Sequence, residues 1–315
     1  MYNIFDISIE SDLRLPELSE GVARETVIKI KSGADSKRAH CEPEHLHEWK
    51  DTDGEICMLS AKFEDNYLLR FPGLVDFLIC SSGESVFYFP ESDIPEETIR
   101  HLILDQLIPR ILGQRGHLVL HASAVQIIDE KAVVFLGATG WGKSTIASSY
   151  YENGAQLITD DCLLIKIIEN KVFCVPNYCG LRLYPDSAEA IFKDKMQYEP
   201  VAHYTSKERL ILHHVEPEKA EPIPVSAIFL LSDPDIGSVD TVSIKKIQGA
   251  KEIMAIVEQT FLMDIEDKAT ISKQFTNASV LNEVSPVLYG LSYPRKYEML
   301  AEVRNTVEMT AANII

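Results

Sequence analysis

Residues 131–145 read Lys131-Ala132-Val133-Val134-Phe135-Leu136-Gly137-Ala138-Thr139-Gly140-Trp141-Gly142-Lys143-Ser144-Thr145. An apolar run, Lys131 to Leu136, has strand character and enters a glycine-rich turn. A helix is expected from about Lys143 to Glu152, with Gly154 placed to end it. The span from Gly137 to Ser144 is G-x-x-x-x-G-K-S, lying between strand and helix where a phosphate-binding loop belongs. Glycines let the backbone turn its N–H groups inward around phosphate oxygens. The helix N-terminus adds unsatisfied donors and partial positive charge. Lys143 supplies a point charge for the β- and γ-phosphates, and the Ser144 hydroxyl is a hard oxygen suited to Mg²⁺. The candidate nucleotide-binding set is Gly137, Ala138, Thr139, Gly140, Trp141, Gly142, Lys143, Ser144 and Thr145, with ATP and Mg²⁺ as the implied cofactors. The Trp141 ring either stacks on the nucleotide or covers it.

Outward from the loop the pattern is α/β. Leu118 to Ile127 alternates as a strand, Gln156 to Thr159 follows the helix, and Leu163 to Ile168 pairs with Lys171 to Val175 across Glu169-Asn170. Val225 to Leu231 reads as a buried strand. Gly249 to Met263 and Pro294 to Met309 have helical periodicity. The first ninety residues are β-rich and irregular, with strands at Ile4 to Ile9, Thr26 to Ile30 and Ser85 to Phe89 and a charged connection from Lys31 to Asp53. Asp93 and Pro95 suit a helix start, and Pro109 should kink or shorten that helix. The expected division is a β-rich N-terminal domain over 1–92 and an α/β phosphate-loop domain over 93–315.

Composition bounds the function. The 315 residues carry 30 basic and 48 acidic side chains, a formal charge of −18, with 46% hydrophobic and 25% charged residues. This is a globular composition. The acidity argues against nucleic-acid binding and against anionic membranes. No apolar run approaches the ~20 residues that span a bilayer. The first residues lack a basic segment before an apolar stretch, so no signal peptide is expected and a cytoplasmic location is. The six cysteines, Cys41, Cys57, Cys80, Cys162, Cys174 and Cys179, show no C-x2-C spacing.

The strand Gln156 to Thr159 ends in Asp160-Asp161. If it neighbours the loop strand, both carboxylates approach the nucleotide, one to hold Mg²⁺ and one to accept a proton from an attacking hydroxyl. The residues alone leave open which does which. The short interval from Lys143 to Asp160, the glycine at 154 and His121 on the preceding strand make residues 115–190 resemble the kinase domain of the HPr kinase/phosphorylase family. That resemblance implies an HPr-kinase-like phosphate-loop domain. In it Lys143, Ser144 and Thr145 hold ATP-Mg, Asp160 is the base, Asp161 joins Ser144 in binding metal, and His121 lies near the reacting phosphate. The family forms hexamers, which leaves homo-oligomerisation open here.

The second signature of that family, roughly E-[IV]-R-G-x-G, is absent. The stretch 176–186, which contains Gly180 and Arg182, looks instead like the kinases of lasso-peptide gene clusters. These resemble the chain more widely, at Leu15 to Leu18, at the Leu120 to Val125 run and at Leu291 to Arg295. This resemblance implies transfer of the γ-phosphate to the C-terminal serine of a ribosomal precursor peptide, with the N-terminal domain helping to hold the peptide. Arg182, Lys207 and Arg209 are candidates to stabilise charge on the transferring phosphoryl, Arg182 foremost. The rival readings are a kinase of HPr or free serine, and a regulatory module that binds ATP without transfer. His40, Cys41, His45 and His47 read as a solvated loop and not as a zinc site, His213-His214 as ordinary, and Cys162 as no nucleophile.

Overall fold

The computed structural model describes residues 1–33, 44–50, 54–127, 130–178, 180–193, 196–210, 212, 221–236, 239–284 and 288–313. Two compact units divide the chain. The first comprises 1–117, 202–204 and 261–273; the second comprises 118–201, 205–260 and 274–315. The boundary expected near Asp93 therefore falls inside the first unit. The helical stretch after it belongs with the strands before it, because Leu102, Ile103, Leu104 and Leu107 are fully buried within that unit.

The first unit is β-rich. Its strands are β1 (Tyr2–Ile4), β2 (Ile7–Ser11), β3 (Ser19–Glu20), β4 (Val27–Ser32), β5 (Glu44–Lys50), β6 (Ile56–Phe63), β7 (Asn66–Phe71), β8 (Val75–Ile79) and β9 (Ser85–Pro90). They form one sheet in the order β3-β1-β2-β4-β9-β8-β7-β6-β5. Alternation sets the faces: Ile28 and Ile30 of β4 are buried while Lys29 and Lys31 are exposed. Two expectations change here. The run Ile4 to Ile9 is two strands, broken where Phe5 takes a positive φ of 51°. The connection Lys31 to Asp53 contains β5, which pairs with β6. Helix α1 (Glu96–Leu102) starts after Pro95, a π-helical turn spans Ile103–Leu107, and α2 (Ile108–Gln114) follows. Pro109 sits in the first turn of α2, where its missing N–H is tolerated, so the wide turn before it replaces the expected kink.

The second unit holds β10 (Leu118–Leu120), β11 (Ala122–Gln126), β12 (Ala132–Leu136), β13 (Gln156–Thr159), β14 (Leu163–Ile168) and β15 (Lys171–Val175), then β16 (Arg182–Leu183), β17 (Tyr198–Pro200), β18 (Glu208–Leu210), β19 (Ile223–Leu231), β20 (Ser243–Lys246) and β21 (Leu288–Ser292). Its main sheet runs β10-β14-β15-β19-β12-β11-β13, with β21 parallel to β19 and β20 beside β21. A small sheet, β16-β18-β17, stands apart. The loop strand β12 is covered on both faces, which explains its unbroken apolar run. Val133 and Phe135 pack with Ile146, Ala147 and Tyr150 of α3 (Lys143–Glu152) and with Val303 and Val307 of a later helix, Leu300–Ala312. Ala132, Val134 and Leu136 pack on the other face with Ala255 and Ile256 of the helix Ala250–Val257 and with Ala278 and Leu281.

The helix after the loop spans the expected residues, and Gly154 follows it at φ 90°. The expected helix from Gly249 ends earlier, at Val257, and the last helix starts at Leu300 after a 3₁₀ turn. The single strand expected from Leu118 breaks at His121 into β10 and β11, which lie on different parts of the sheet. No helix among the described residues is long and apolar enough to cross a membrane.

In the first unit, Arg70 grips the buried Asp76 on the neighbouring strand through Nε and Nη2, both at 2.9 Å. Arg70→Ala should lower stability by about 1–3 kcal/mol in urea unfolding, because it strands part of a buried carboxylate's hydrogen bonding. Arg70→Lys should recover only a part, since an ammonium cannot reproduce the two-pronged contact.

Candidate functional site

The site grows from the carboxyl ends of β12 and β13. The two strands are not neighbours: β11 lies between them, antiparallel to both. The adjacency expected from the sequence is thereby corrected. An inserted antiparallel strand begins where its flanking strands end, so Ala122 faces Leu136 of β12 and Ala124 faces Thr159 of β13. Ser123 stands at that shared edge, fully buried, with its hydroxyl hydrogen-bonded to Asp160 Oδ1. Ser123 thus ties the aspartate turn to the inserted strand beside the loop strand.

The glycine loop turns at positive φ at Gly137, Gly140 and Gly142, the last opening α3 at φ 92°. Among the described residues no side chain caps that helix, and its first turn carries no acid. Its leading N–H groups are therefore available to an anion. Lys143 is buried, and its Nζ donates to the carbonyls of Gly137 at 2.7 Å and Ala138 at 3.1 Å. Burial pushes the Lys143 ammonium down to about 8, against the pull of Asp161 and Asp160. Ala138, Thr139 and Gly140 are exposed, and Trp141, Ser144 and Thr145 are half-buried. The Trp141 ring packs against the core face that includes Phe135 and Phe229.

The two aspartates face different partners. Asp160 is buried and accepts from Ser144 Oγ at 2.9 Å, from the Ser123 hydroxyl, and from the Arg182 main-chain N–H at 3.2 Å. Asp161 takes φ 73°, which turns its carboxylate the other way, toward Arg182 Nη1 at 2.7 Å and His121 Nε2 at 3.6 Å. Thr159 Oγ1 closes this turn on the Cys162 carbonyl at 2.7 Å. Burial raises the Asp160 carboxyl, reinforced by the neighbouring Asp161 charge. Burial works on Asp161 in the same direction, yet Arg182 and His121 outweigh it and hold that carboxyl well below the usual range. Burial also lowers His121, opposing its bond to Asp161.

Arg182 is buried. Besides Asp161 it donates to the Tyr178 hydroxyl at 2.6 Å. Its guanidinium is thus occupied in compensating Asp161. Arg209 lies opposite Arg182 in the small sheet and is buried, while Lys207 lies over the Tyr184 ring at 5.3 Å, and its charge is felt by His121, Lys143 and Asp161.

The structure therefore brings together Lys143, Ser144, Asp160, Asp161, His121 and Arg182. Sequence reading missed Ser123 and Tyr178. Ser123 had no local signal, because the chain breaks at His121 and its neighbours are set by register. Tyr178 had no signal of its own. Ser144 was paired with Asp161 as the metal set, but its hydroxyl reaches Asp160. Among the described residues no three His, Cys, Asp or Glu side chains gather as a metal cage. A hydroxyl and a carboxylate oxygen 2.9 Å apart nevertheless suit Mg²⁺, which is commonly held by one or two protein oxygens plus phosphate and water. His40, Cys41, Cys179, His213 and His214 lie outside the described residues. Cys162 is buried.

No family model matches this chain, and no curated protein does. Among solved structures it is similar to the HPr(Ser) kinase/phosphatase from Coxiella burnetii, over 61% of this chain and 97% of that one, at 13% identity and a TM-score of 0.29. The α/β architecture rests on the strand order and core described above.

The neighbouring aspartates should respond oppositely to neutralisation. A raised carboxyl makes ionised Asp160 a cost to the fold, absent below the unfolded value near pH ~4 and complete above the folded one. Asp160→Asn should therefore raise the Tm at pH 7–8 by an amount worth about 1 kcal/mol and leave it unchanged near pH 3.5. The depressed Asp161 carboxyl contributes stability that is present above pH ~4 and lost as pH falls through its folded value. Asp161→Asn should cost about 3 kcal/mol at neutral pH by leaving Arg182 uncompensated. Thermal melts across pH check both signs.

Proposed function

We propose that this chain is an ATP-dependent phosphotransferase that moves the γ-phosphate to a serine hydroxyl of a peptide. The observation that carries the proposal is the Asp160 carboxylate, joined to Ser144 at the head of the loop helix and raised toward a proton-accepting range by burial. A general base works best when its pKa approaches the operating pH. In this reading residues 137–145 bind the phosphates of ATP, with Lys143 moving from the loop carbonyls to the β- and γ-oxygens. Mg²⁺ would be held by Ser144 and phosphate oxygens, with the Asp160 carboxylate reached through water, and it would neutralise charge on the phosphates. Asp160 orients the serine hydroxyl and takes its proton. Asp161, kept ionised by Arg182, fixes that arginine and His121 beside the reacting group.

The substrate is proposed from the resemblance to the lasso-peptide cluster kinases. It is the C-terminal serine of a ribosomal precursor, recognised with help from the β-rich unit. HPr and free serine are the competing acceptors.

Mass spectrometry after incubation with ATP, Mg²⁺ and each of a serine-ended precursor peptide, HPr and free serine tests this. Phosphate should appear on the terminal serine of the peptide. Asp160→Asn should lower kcat by about 10²–10⁴-fold with MgADP affinity little changed. A collapse of MgADP affinity instead would make Asp160 a metal ligand first. ATP binding without transfer to any acceptor would sink the kinase reading and leave a nucleotide-binding regulator.

A further inference from the structure

The segment Leu291-Ser292-Tyr293-Pro294-Arg295 ends β21 and continues past it; it takes no part in the mechanism above, yet its last residue reaches the glycine loop. Arg295 Nη1 donates to the Trp141 carbonyl at 2.6 Å, and Nη2 donates to the Ser232 carbonyl. Ser232 immediately follows β19, so one planar guanidinium ties the loop to the end of the central strand. The guanidinium lies 4.2 Å from the centre of the buried Tyr293 ring, which fixes its plane. The segment also presses on the loop backbone. A Cβ at Gly142 would lie 2.9 Å from the Tyr293 hydroxyl and 3.3 Å from Arg295 Nη1.

We infer that Arg295 is a positioning residue that sets the phosphate-binding shape of residues 137–142, with Tyr293 as its platform. The physical argument is peptide planarity. In a trans peptide the C=O and the following N–H point in opposite directions. A Trp141 carbonyl held by Arg295 therefore turns the Gly142 N–H to the far side of the loop backbone, away from the arginine. Losing the guanidinium frees this peptide unit to rotate, and Gly142, at φ 92°, offers little steric resistance. A lysine cannot substitute, because one ammonium on a flexible stem does not span two carbonyls in a fixed plane.

The inference rests on the nucleotide-binding reading of the loop, so the test separates the two. MgADP is titrated calorimetrically into full-length wild type, Arg295→Lys and Arg295→Ala, and amide hydrogen exchange across residues 137–143 is followed without nucleotide. Both variants should bind MgADP about tenfold or more weakly, the loss expected for a charge-assisted hydrogen-bonded tie. Both should show faster exchange confined to the loop, with melting temperatures near that of wild type. Full affinity in Arg295→Lys would overturn the inference and make Arg295 a plain charge beside the nucleotide. Wild-type affinity and exchange in Arg295→Ala would overturn it outright. A wild type that fails to bind MgADP would remove the nucleotide reading itself, and the role given to Arg295 with it.

Discussion

One carboxylate joins the three segments from which the site is made. Asp160 receives a hydroxyl from the start of β11, a hydroxyl from the start of α3 and a main-chain N–H from β16. These segments are far apart in sequence and meet at the edge of a sheet whose two faces are sealed by helices. Burying an ionisable group there is costly unless its oxygens are hydrogen-bonded, and three donors meet that requirement. These bonds favour the ionised form, yet burial and the neighbouring Asp161 charge still raise the carboxyl, so the joint that assembles the site also holds its charge reluctantly.

Around it the charges are divided by backbone geometry. A left-handed residue at Asp161 sends two consecutive carboxylates in different directions. Non-glycine residues in that region are uncommon and carry a modest backbone cost, though aspartate is among the side chains that tolerate it. The result is one carboxyl facing hydroxyls and one facing an arginine and a histidine, with opposite tendencies to hold a proton. Divergent environments for paired acids are a recurrent feature of sites that move protons.

The loop, its helix and the strand ending in Asp160 were legible because each has a local signature: glycines at fixed spacing, a lysine-hydroxyl pair, an apolar run closed by acids. The sheet order was not. Nothing local to Leu118 to Ile127 says that the chain breaks at His121 and that its second half slides between the loop strand and the aspartate strand. Long-range pairing is decided by packing on two faces, which a single strand's alternation cannot report. Ser123 was hidden for the same reason, since its neighbours are set by register with β12 and β13. Arg182 was visible as a basic residue near the site, but its partner was not, because the φ that turns Asp161 toward it is invisible in an Asp-Asp pair. The helix across Lys268–Val284 escaped notice because its polar and apolar residues are poorly segregated.

The composition of the first unit has a consequence for how the chain is made. Residues 202–204 and 261–273 belong to it, although 1–117 supply its whole sheet. On the ribosome the sheet emerges long before its last pieces do. At about 5–20 residues per second, the wait for Lys273 is on the order of ten seconds or more. During that interval the residues of the sheet lack the segment carrying Phe261 and Met263, both of which end up buried. The first unit is thus closed only after most of the second has been made, and a nascent chain stalled between residues 118 and 260 would display it incomplete.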